Sequence, residues 1–553
     1  MGMMTSREAL MQILRSEGVE YIFGLPGSSE LLFMDVLEDH PEIKYILGLH
    51  ECVAAGMAAG YSRASGKVGV VNLHTWPGLG AAMPILLNSR SEGIPLIVTA
   101  GRNDTYTQMQ DIGSAGNLVG LGNHFAKWST EVIYAEDLAL AIRRAFKVAT
   151  QPPTGPVFIS LPQNVLNENL DFEYQVNPPL SLSRRCSDRE TIDSAAELLG
   201  IAQTPYFLIG SGIAKMDALL EVTKLAELTG ARVYHQTSMT DVNFPTNHPQ
   251  YMGDTVGLNL GELFRSADVL VAIGTPLFSM TPTPSNPTIT TGTEVIQIDS
   301  DPWEIAKNFP VAAGIDGDIK LSIAELIDAL QKKMSTEARQ AANVRAKEIA
   351  KQTDQMKETF RQKAQTEKDN IPISISRLMQ ELAGSLKPGT VLVDESWTCS
   401  ATLRRSIYFT DPTSYYRGRG QCIGWGMPAS IGIKLALPDR PVVAVIGDGS
   451  AIWSFQSLWT AASHNIPITY VICSNTSYRT VKTNKIRKMG EQIKGRYLGL
   501  DFASPTIDFC QLAQGLGVHG QKVNRPEDLK EALKSVLESE KPALVDIAVE
   551  GPV

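Results

Sequence analysis

Cysteine is scarce in this sequence: six residues in 553, Cys52, Cys186, Cys399, Cys422, Cys473 and Cys510, with no CxxC spacing among them. That excludes a disulfide framework and a thiolate zinc site, and fits reduced thiols in a cytosol, so a cytoplasmic location is the expectation. Long apolar runs are missing; none reaches the roughly 18 residues that a membrane span requires. The stretch Met1 to Ala9 lacks the apolar core of a secretory signal. A basic excess is missing as well: 50 Lys and Arg stand against 59 Asp and Glu, a net charge of −9, which leaves no footprint for nucleic acid. What remains, 43% hydrophobic and 20% charged residues with 45 Gly and 31 Pro, is the composition of a globular chain and excludes disorder and collagen. At about 100–200 residues per domain, the length suggests three or four domains.

Three stretches alternate short apolar strands with helical patterns, the signature of parallel sheets covered on both faces. The first, 1–180, has strands at Tyr45–Leu49, Val68–Leu73, Leu96–Ala100 and Val157–Leu161, with a small-residue helix Ala54–Arg63. A Pro- and Ser-rich connection leads to the second, 189–330, with strands Tyr206–Ile209, Val233–His235, Val269–Ile273 and Glu294–Ile298. The charged, apolar-poor segment 331–370 reads as solvated helix serving as a linker. The third stretch, 371–553, centres on a βαβ unit: strand Val442–Ile446, turn Gly447–Ser450, helix Phe455–Ser463 and strand Ile468–Cys473. One echo links the first and third stretches. His74 and Asp448 each end a strand, and each is followed about 20 positions later by a strand that opens with Ile-Pro, at Pro95 and Pro467. Two copies of one α/β unit would produce this, and so would chance.

Gly447-Asp448-Gly449-Ser450 lies at the carboxyl end of an apolar strand, where open α/β sheets bind ligands. Flanking glycines let a diphosphate approach the backbone, and the following helix turns N–H groups toward the anion. Asp448 is a hard oxygen ligand suited to Mg²⁺, which takes one or two such groups plus phosphate oxygens and water. Asn475, 27 positions on at the end of the next strand, supplies an amide oxygen, and Ser477 a backbone carbonyl. The GDG turn alone is weak; with Asn at this spacing across a βαβ unit it is strong.

With these residues in place, the chain resembles the thiamine diphosphate-dependent 2-oxo acid decarboxylase and acetolactate synthase family, and looks most like benzoylformate decarboxylase around Ile446–Ser450 and Ser457–Pro467. The resemblance runs from Phe23-Gly24-Leu25-Pro26-Gly27-Ser28 to the strand Ala543–Ala548. It implies thiamine diphosphate and Mg²⁺ as cofactors. It also implies three doubly wound α/β domains: pyrimidine-binding, middle, and diphosphate- and Mg-binding. Active sites in this family form between the first domain of one subunit and the third of another, so a homodimer is the minimum and a homotetramer the usual state. Glu51, followed by Ala-Ala-Gly-Met-Ala-Ala-Gly-Tyr at 54–61, matches the carboxylate that holds the aminopyrimidine nitrogen; its plainer reading is a helix N-terminal acid. Ile423 matches the apolar residue beneath the bent cofactor and Gln421 the carbonyl that receives its amino group. Ser28 matches the serine that binds the substrate carboxylate, or is simply a helix N-cap before Glu30–Val36. His74 matches the first catalytic histidine, able to move a proton near neutral pH, or is a structural histidine. The other histidines carry no motif, and His50 beside Glu51 points away from it if it is still in strand geometry.

Departures from the pattern bear on the reaction. The second catalytic histidine of the decarboxylases follows a Gly-x-Pro-x-Phe strand end; here, after Gly274-Thr275-Pro276-Leu277-Phe278, that position is Thr281, which is no acid or base near pH 7. In the substrate pocket, Trp397, Thr480 and Asn484 stand where the benzoylformate enzyme has smaller, smaller and aromatic residues, which disfavours a phenyl ring and favours a short or polar substrate. Between positions 479 and 496, Arg479, Lys482, Lys485, Arg487, Lys488, Lys494 and Arg496 face one acid, Glu491: an anionic substrate is one reading, a solvated helix face the other. The expectation is decarboxylation of a 2-oxo acid to an aldehyde through an enamine. Slow protonation would instead favour a carboligase or C–C lyase of acetolactate synthase or 2-hydroxyacyl-CoA lyase type. Gly210-Ser211-Gly212 is too little to assign a middle-domain flavin. A non-catalytic binding protein on this fold would be expected to have lost Glu51 or the Asp448–Asn475 pair, and both are present.

Overall fold

Short runs of Val, Ile and Leu build the inner strands of three parallel sheets, because a strand covered by helices on both faces has no use for polar alternation. Val442–Gly447 and Val157–Pro162 are such runs, buried almost throughout. The computed structural model describes residues 2–110, 112–113, 115–172, 184–256, 258–277, 289, 292–420, 422–490 and 497–551. The chain folds as two compact units: Met1–Leu180 with Asp369–Ser400 and Gly418–Val553, and Ser181–Lys368 with Ala401–Arg417.

In the first unit, one sheet places its strands in the spatial order Lys44–Leu47, Tyr21–Leu25, Gly69–Leu73, Leu96–Arg102, Val157–Pro162 and Ser129–Glu131. A second sheet runs Val391–Glu395, Val442–Gly447, Thr469–Ser474, Ala543–Ala548 and His519–Val523. The two orders are the same from the Tyr21–Leu25 and Val391–Glu395 strands onward. The echo between His74 and Asp448 is therefore topological: each residue follows the corresponding central strand of its sheet. A short antiparallel ribbon pairs Gly2–Thr5 with Asn169–Phe172.

The helices that precede these two central strands, Glu51–Ser65 and Gly426–Ala436, pack on each other. Their many small residues exist for this crossing. A Cβ on Gly432 would lie 1.9 Å from the Met57 carbonyl oxygen, one on Gly60 would lie 2.2 Å from the Ala429 carbonyl oxygen, and one on Gly56 would lie 2.5 Å from Pro428. Residues 52–62 are buried without exception.

The second unit holds a parallel sheet in the spatial order Tyr251–Asp254, Arg232–His235, Pro205–Ile209, Val269–Ile273, Glu294–Asp299 and Ala313–Asp316. Numbered along the chain this is 3-2-1-4-5-6, the doubly wound order with a switch point between the first and fourth strands. The Gly210-Ser211-Gly212 turn sits there, but its glycines serve packing: Gly212 N donates to the Gly274 carbonyl (3.0 Å), and a Cβ on Gly212 would lie 2.6 Å from Gly274 Cα. Buried His235 donates or accepts at Tyr251 Oη (3.0 Å), and burial pushes its pKa down to about 4. The charged stretch after this sheet is a 31-residue helix, Thr336–Thr366, capped by Ser335, with only Ala342, Ile349, Thr353 and Ala364 buried.

Two local expectations differ from the structure. Gly447–Ser450 is not a free turn; a helix, Asp448–Ser454, begins at Asp448 itself, and a second helix follows at Ser457–Ser463. Ser28 is not a helix cap. Gly27 holds that position in extended backbone, a 3₁₀ turn covers Ser28–Glu30, and the helix proper is Leu31–Glu38.

Candidate functional site

Two clusters of side chains form in the first unit, one on each sheet. The first gathers at the carboxyl ends of Tyr21–Leu25 and Gly69–Leu73. Glu51 is the first residue of its helix, and His50 before it is the cap: His50 Nδ1 accepts from Cys52 N (3.0 Å). His50 is thereby occupied with the backbone, while the Glu51 side chain turns to the first turn of the Thr75–Ser91 helix. A Cβ on Gly78 would lie 3.3 Å from His74 Cβ and 3.4 Å from Glu51 Oε1, so Gly78 is the spacer between the two side chains. The Gly27 turn closes the other side of His74, where a Cβ on Gly27 would lie 2.2 Å from the imidazole Nδ1. Glu51, His74 and the loop carrying exposed Ser28 thus share one neighbourhood.

The sequence did not reveal what holds His74. Glu30 is 1% exposed and uses both carboxylate oxygens. Oε2 accepts from Gly27 N (2.8 Å) and lies 2.9 Å from His74 Nδ1; Oε1 accepts from Gly101 N (2.9 Å) and from Ser29 Oγ (2.7 Å). Ser29 Oγ is also 2.9 Å from His74 Nδ1. A carboxylate only accepts, so Nδ1 carries the proton on this side and Nε2 is left as the working nitrogen. The available signal was the Gly27-x-x-Glu30 spacing, which is that of a capping box.

The second cluster lies at the carboxyl ends of Val391–Glu395, Val442–Gly447 and Thr469–Ser474. Asp448 is 3% exposed. Its Oδ1 accepts from Gly449 N (2.8 Å) and its Oδ2 from Asn475 N (2.8 Å) and Thr476 N (2.6 Å). Burial nevertheless pushes its pKa up to about 6, against the pull of those three N–H groups. Asn475 Oδ1 accepts from Ser477 N (3.1 Å) and Ser477 Oγ (3.2 Å). The Ser477–Asp501 bridge is made by Tyr478 N to Leu500 O and Phe502 N to Thr476 O, so it does not consume the Ser477 carbonyl. The set has the chemistry of a Mg²⁺ site: one buried carboxylate with a lone pair to spare on Oδ1, one amide oxygen with a lone pair released when the Ser477 hydroxyl turns, and one carbonyl. It contains a single acid, and among the described residues no group of three His, Cys, Asp or Glu could hold a metal. Gly449 is covered by the Tyr478 ring, 2.7 Å from where its Cβ would be; Gly447 is the residue before the Asp448–Ser454 helix and Ser450 lies buried in its first turn.

Residues 418–420 and 422–425 precede the Gly426–Ala436 helix. Ile423 is half-buried there, and Gln421 lies outside the described residues, as does Thr281. The end of the Trp397 ring rests on Gly420, which has φ +86°; a Cβ there would meet Cη2 at 1.9 Å. Thr480 is half-buried and Asn484 exposed on the Arg479–Met489 helix, which starts directly after Ser477 and Tyr478. That helix does not present all its cations outward. Lys482 is buried and paired with Asp501, Lys482 and Lys485 lie 5.1 and 5.5 Å from the centre of the Tyr497 ring, and Arg479 donates to the Glu550 carbonyl (2.8 Å). Arg487 and Lys488 are exposed, and Lys494 and Arg496 lie outside the described residues.

The segments that carry the two clusters match those of a known family. Residues 4–119 match the thiamine pyrophosphate enzyme N-terminal TPP binding domain, 192–326 the central domain, and 398–547 the C-terminal TPP binding domain. Benzoylformate decarboxylase of Pseudomonas aeruginosa is 28% identical over 99% of this chain and 99% of its own length. The "Probable acetolactate synthase large subunit" of Methanococcus aeolicus is also 28% identical, over 99% of this chain and 92% of its own. Among solved structures, the thiamine diphosphate-dependent 4-hydroxybenzoylformate decarboxylase of Rhodococcus jostii RHA1 superposes with a TM-score of 0.85 at 27% identity, covering 99% of this chain and 100% of its own. With all three domains matched in order, each around a parallel sheet, the chain belongs to the thiamine pyrophosphate enzyme family.

Proposed function

We propose that the protein is a thiamine diphosphate- and Mg²⁺-dependent decarboxylase of 2-oxo acids. The observation that carries this reading is the shared contact at Gly78, which sets Glu51 beside a histidine whose Nδ1 is held by buried Glu30. Asp448, Asn475 and Ser477 would hold the metal, the Gly447–Ser450 segment the diphosphate, and Gln421 and Ile423 the aminopyrimidine end. Thiamine diphosphate, when bound, supplies an electron sink for the pair left behind by departing CO₂. The chain's own residues do the rest. Glu51 holds a proton at a ring nitrogen of the cofactor, Ser28 Oγ orients the substrate carboxylate, and His74 Nε2 moves a proton to or from the reacting end. Trp397, Thr480 and Asn484 would bound a pocket for a short or polar acid. A homodimer is the minimum assembly in this reading.

Threonine at 281, where the decarboxylases carry a second histidine, supports a second reading: a carboligase or C–C lyase on the same machinery, in which the new bond is to carbon rather than to a proton. One experiment separates them. A panel of 2-oxo acids is turned over with Mg²⁺ and thiamine diphosphate, with and without aldehyde acceptors, following CO₂ and product together. Free aldehyde with CO₂ is the expected outcome. CO₂ only alongside a ligated product would assign the carboligase, and no CO₂ from any acid would overturn the decarboxylase.

A further inference from the structure

Asn88 is 1% exposed, in the body of the Thr75–Ser91 helix, and it does something unusual for a helix side chain. Its amide pairs with both backbone groups of one residue far away in sequence: Nδ2 donates to the Cys422 carbonyl and Oδ1 accepts from Cys422 N, each at 3.0 Å. A neighbouring strand would bond Cys422 in this way. A side-chain amide carries its donor and its acceptor on separate atoms of one plane, so it can pair with an N–H and a C=O at once.

Other groups extend the grip in both directions. Before Cys422, Glu92 Oε1 accepts from Arg419 N (2.8 Å), and Arg419 Nη1 donates to the Ser91 carbonyl (3.0 Å). Glu92 is itself held by Arg63 (3.1 Å). After Ile423, buried Glu395 accepts from Gly424 N (2.9 Å), Trp425 N (3.2 Å) and Gly426 N (2.8 Å), so one carboxylate fixes the start of the Gly426–Ala436 helix. Ile423 is therefore flanked by an anchored residue on each side, Cys422 by Asn88 and Gly424 by Glu395. The helix that supplies Asn88 is the same one whose first turn spaces His74 from Glu51. Ten residues separate Gly78 from Asn88, about 15 Å along the axis at 1.5 Å per residue.

We infer that Asn88 is a positioning residue for the cofactor: by clamping the Cys422 backbone it sets the height and direction of Ile423 before thiamine diphosphate arrives. This rests on the reading of Ile423 as a cofactor contact. A loop ordered in advance binds its ligand without the cost of ordering it then. Releasing the clamp moves that cost into cofactor binding, and takes from the half-buried Cys422 N–H and C=O the partners that Asn88 supplies until the loop rearranges.

The test compares Asn88→Asp, Asn88→Ala and Ile423→Ala with the parent. Asn88→Asp keeps the shape but removes the donor and sets an oxygen against the Cys422 carbonyl. Two readouts are taken: the dissociation constant for thiamine diphosphate with Mg²⁺, from quenching of tryptophan fluorescence, and amide hydrogen exchange of the 419–426 peptide in the cofactor-free protein. The expected result for Asn88→Asp is a dissociation constant raised 10-fold or more, faster exchange of that peptide, and a smaller loss in kcat once cofactor is saturating. A fold defect alone would lower the thermal midpoint without separating the cofactor constant from kcat in this way. Should Asn88→Ala fail to fold, the isosteric Asp variant decides. Cofactor binding within twofold of the parent in Asn88→Asp, with Ile423→Ala impaired, overturns the role of Asn88 and spares the reading of the loop. Binding unchanged in both variants overturns the reading of the loop as well.

Discussion

His74 has two ring nitrogens, and the described residues commit one of them, Nδ1. Nδ1 is taken by Glu30, a carboxylate that is itself fixed by two backbone N–H groups and a serine hydroxyl. Such a partner does not need to touch substrate to matter: it selects the tautomer and holds the ring. Glu30→Gln keeps the size and can still accept at one oxygen, but its amide nitrogen can present an N–H to Nδ1, which would move the proton to Nε2. The expected outcome is a kcat lower by about 10–100-fold, the range for losing a partner that orients a working group, with the thiamine diphosphate dissociation constant unchanged. Steady-state kinetics beside a cofactor titration check both. An unchanged kcat would mean that His74 moves no proton in the slow step. At this scale the sequence was only half legible. Glu51, His74, Asp448 and Asn475 announce themselves because each sits where a strand ends and a motif begins. Glu30 offers only its capping-box spacing from Gly27, which says nothing of His74 or of Gly101 71 positions on; Asn88 and Glu395 offer less, since their backbone partners lie 334 and up to 31 positions away and no spacing rule spans such distances.

The elements were legible where period and length left one solution. The short Val- and Ile-rich runs are strands within a residue or two of where alternation with helices places them. The small-residue segment after Glu51 reads as helix but conceals why it is small. It must let another helix backbone approach, and that partner, Gly426–Ala436, lies over 360 positions on and is equally unremarkable alone. The crossing makes a direct prediction. Gly432→Ala adds a methyl where the Met57 carbonyl oxygen already stands at 1.9 Å, and backbone cannot swing aside. Overpacking costs about 1–3 kcal/mol, which outweighs the gain of up to about 1 kcal/mol from replacing a helical glycine. Gly384, exposed in the Ile375–Ser385 helix with nothing within 4 Å of its Cβ position, keeps that gain. The two alanine variants should therefore move the thermal midpoint in opposite directions, Gly432→Ala down and Gly384→Ala up. A rise in both would mean that the crossing is looser than the distances indicate.

At the scale of the molecule, one α/β design appears twice in the first unit, and each copy carries one of the two clusters of candidate residues. The first copy carries Glu51 and His74 after its strands; the second carries Asp448, Asn475 and Ser477 after its own, with His74 and Asp448 following equivalent strands. The helices that precede the two central strands pack together within the chain. A site that needs both sets of residues can draw them from one chain or from two, and the proposed homodimer draws them from two. Glu51→Gln and Asp448→Asn each disable one half. Under crossed assembly, a protein co-expressed from both variants contains some sites with Glu51 from one copy and Asp448 from the other. Random pairing makes such intact sites about a quarter of the total, so the mixture should recover about a quarter of the parent turnover while each variant alone is inactive. If each site lies within a single chain, every site in the mixture is defective and no activity returns. Measuring turnover of the co-expressed protein against the two single variants distinguishes these outcomes without knowing the natural substrate, provided that one 2-oxo acid from the panel is turned over.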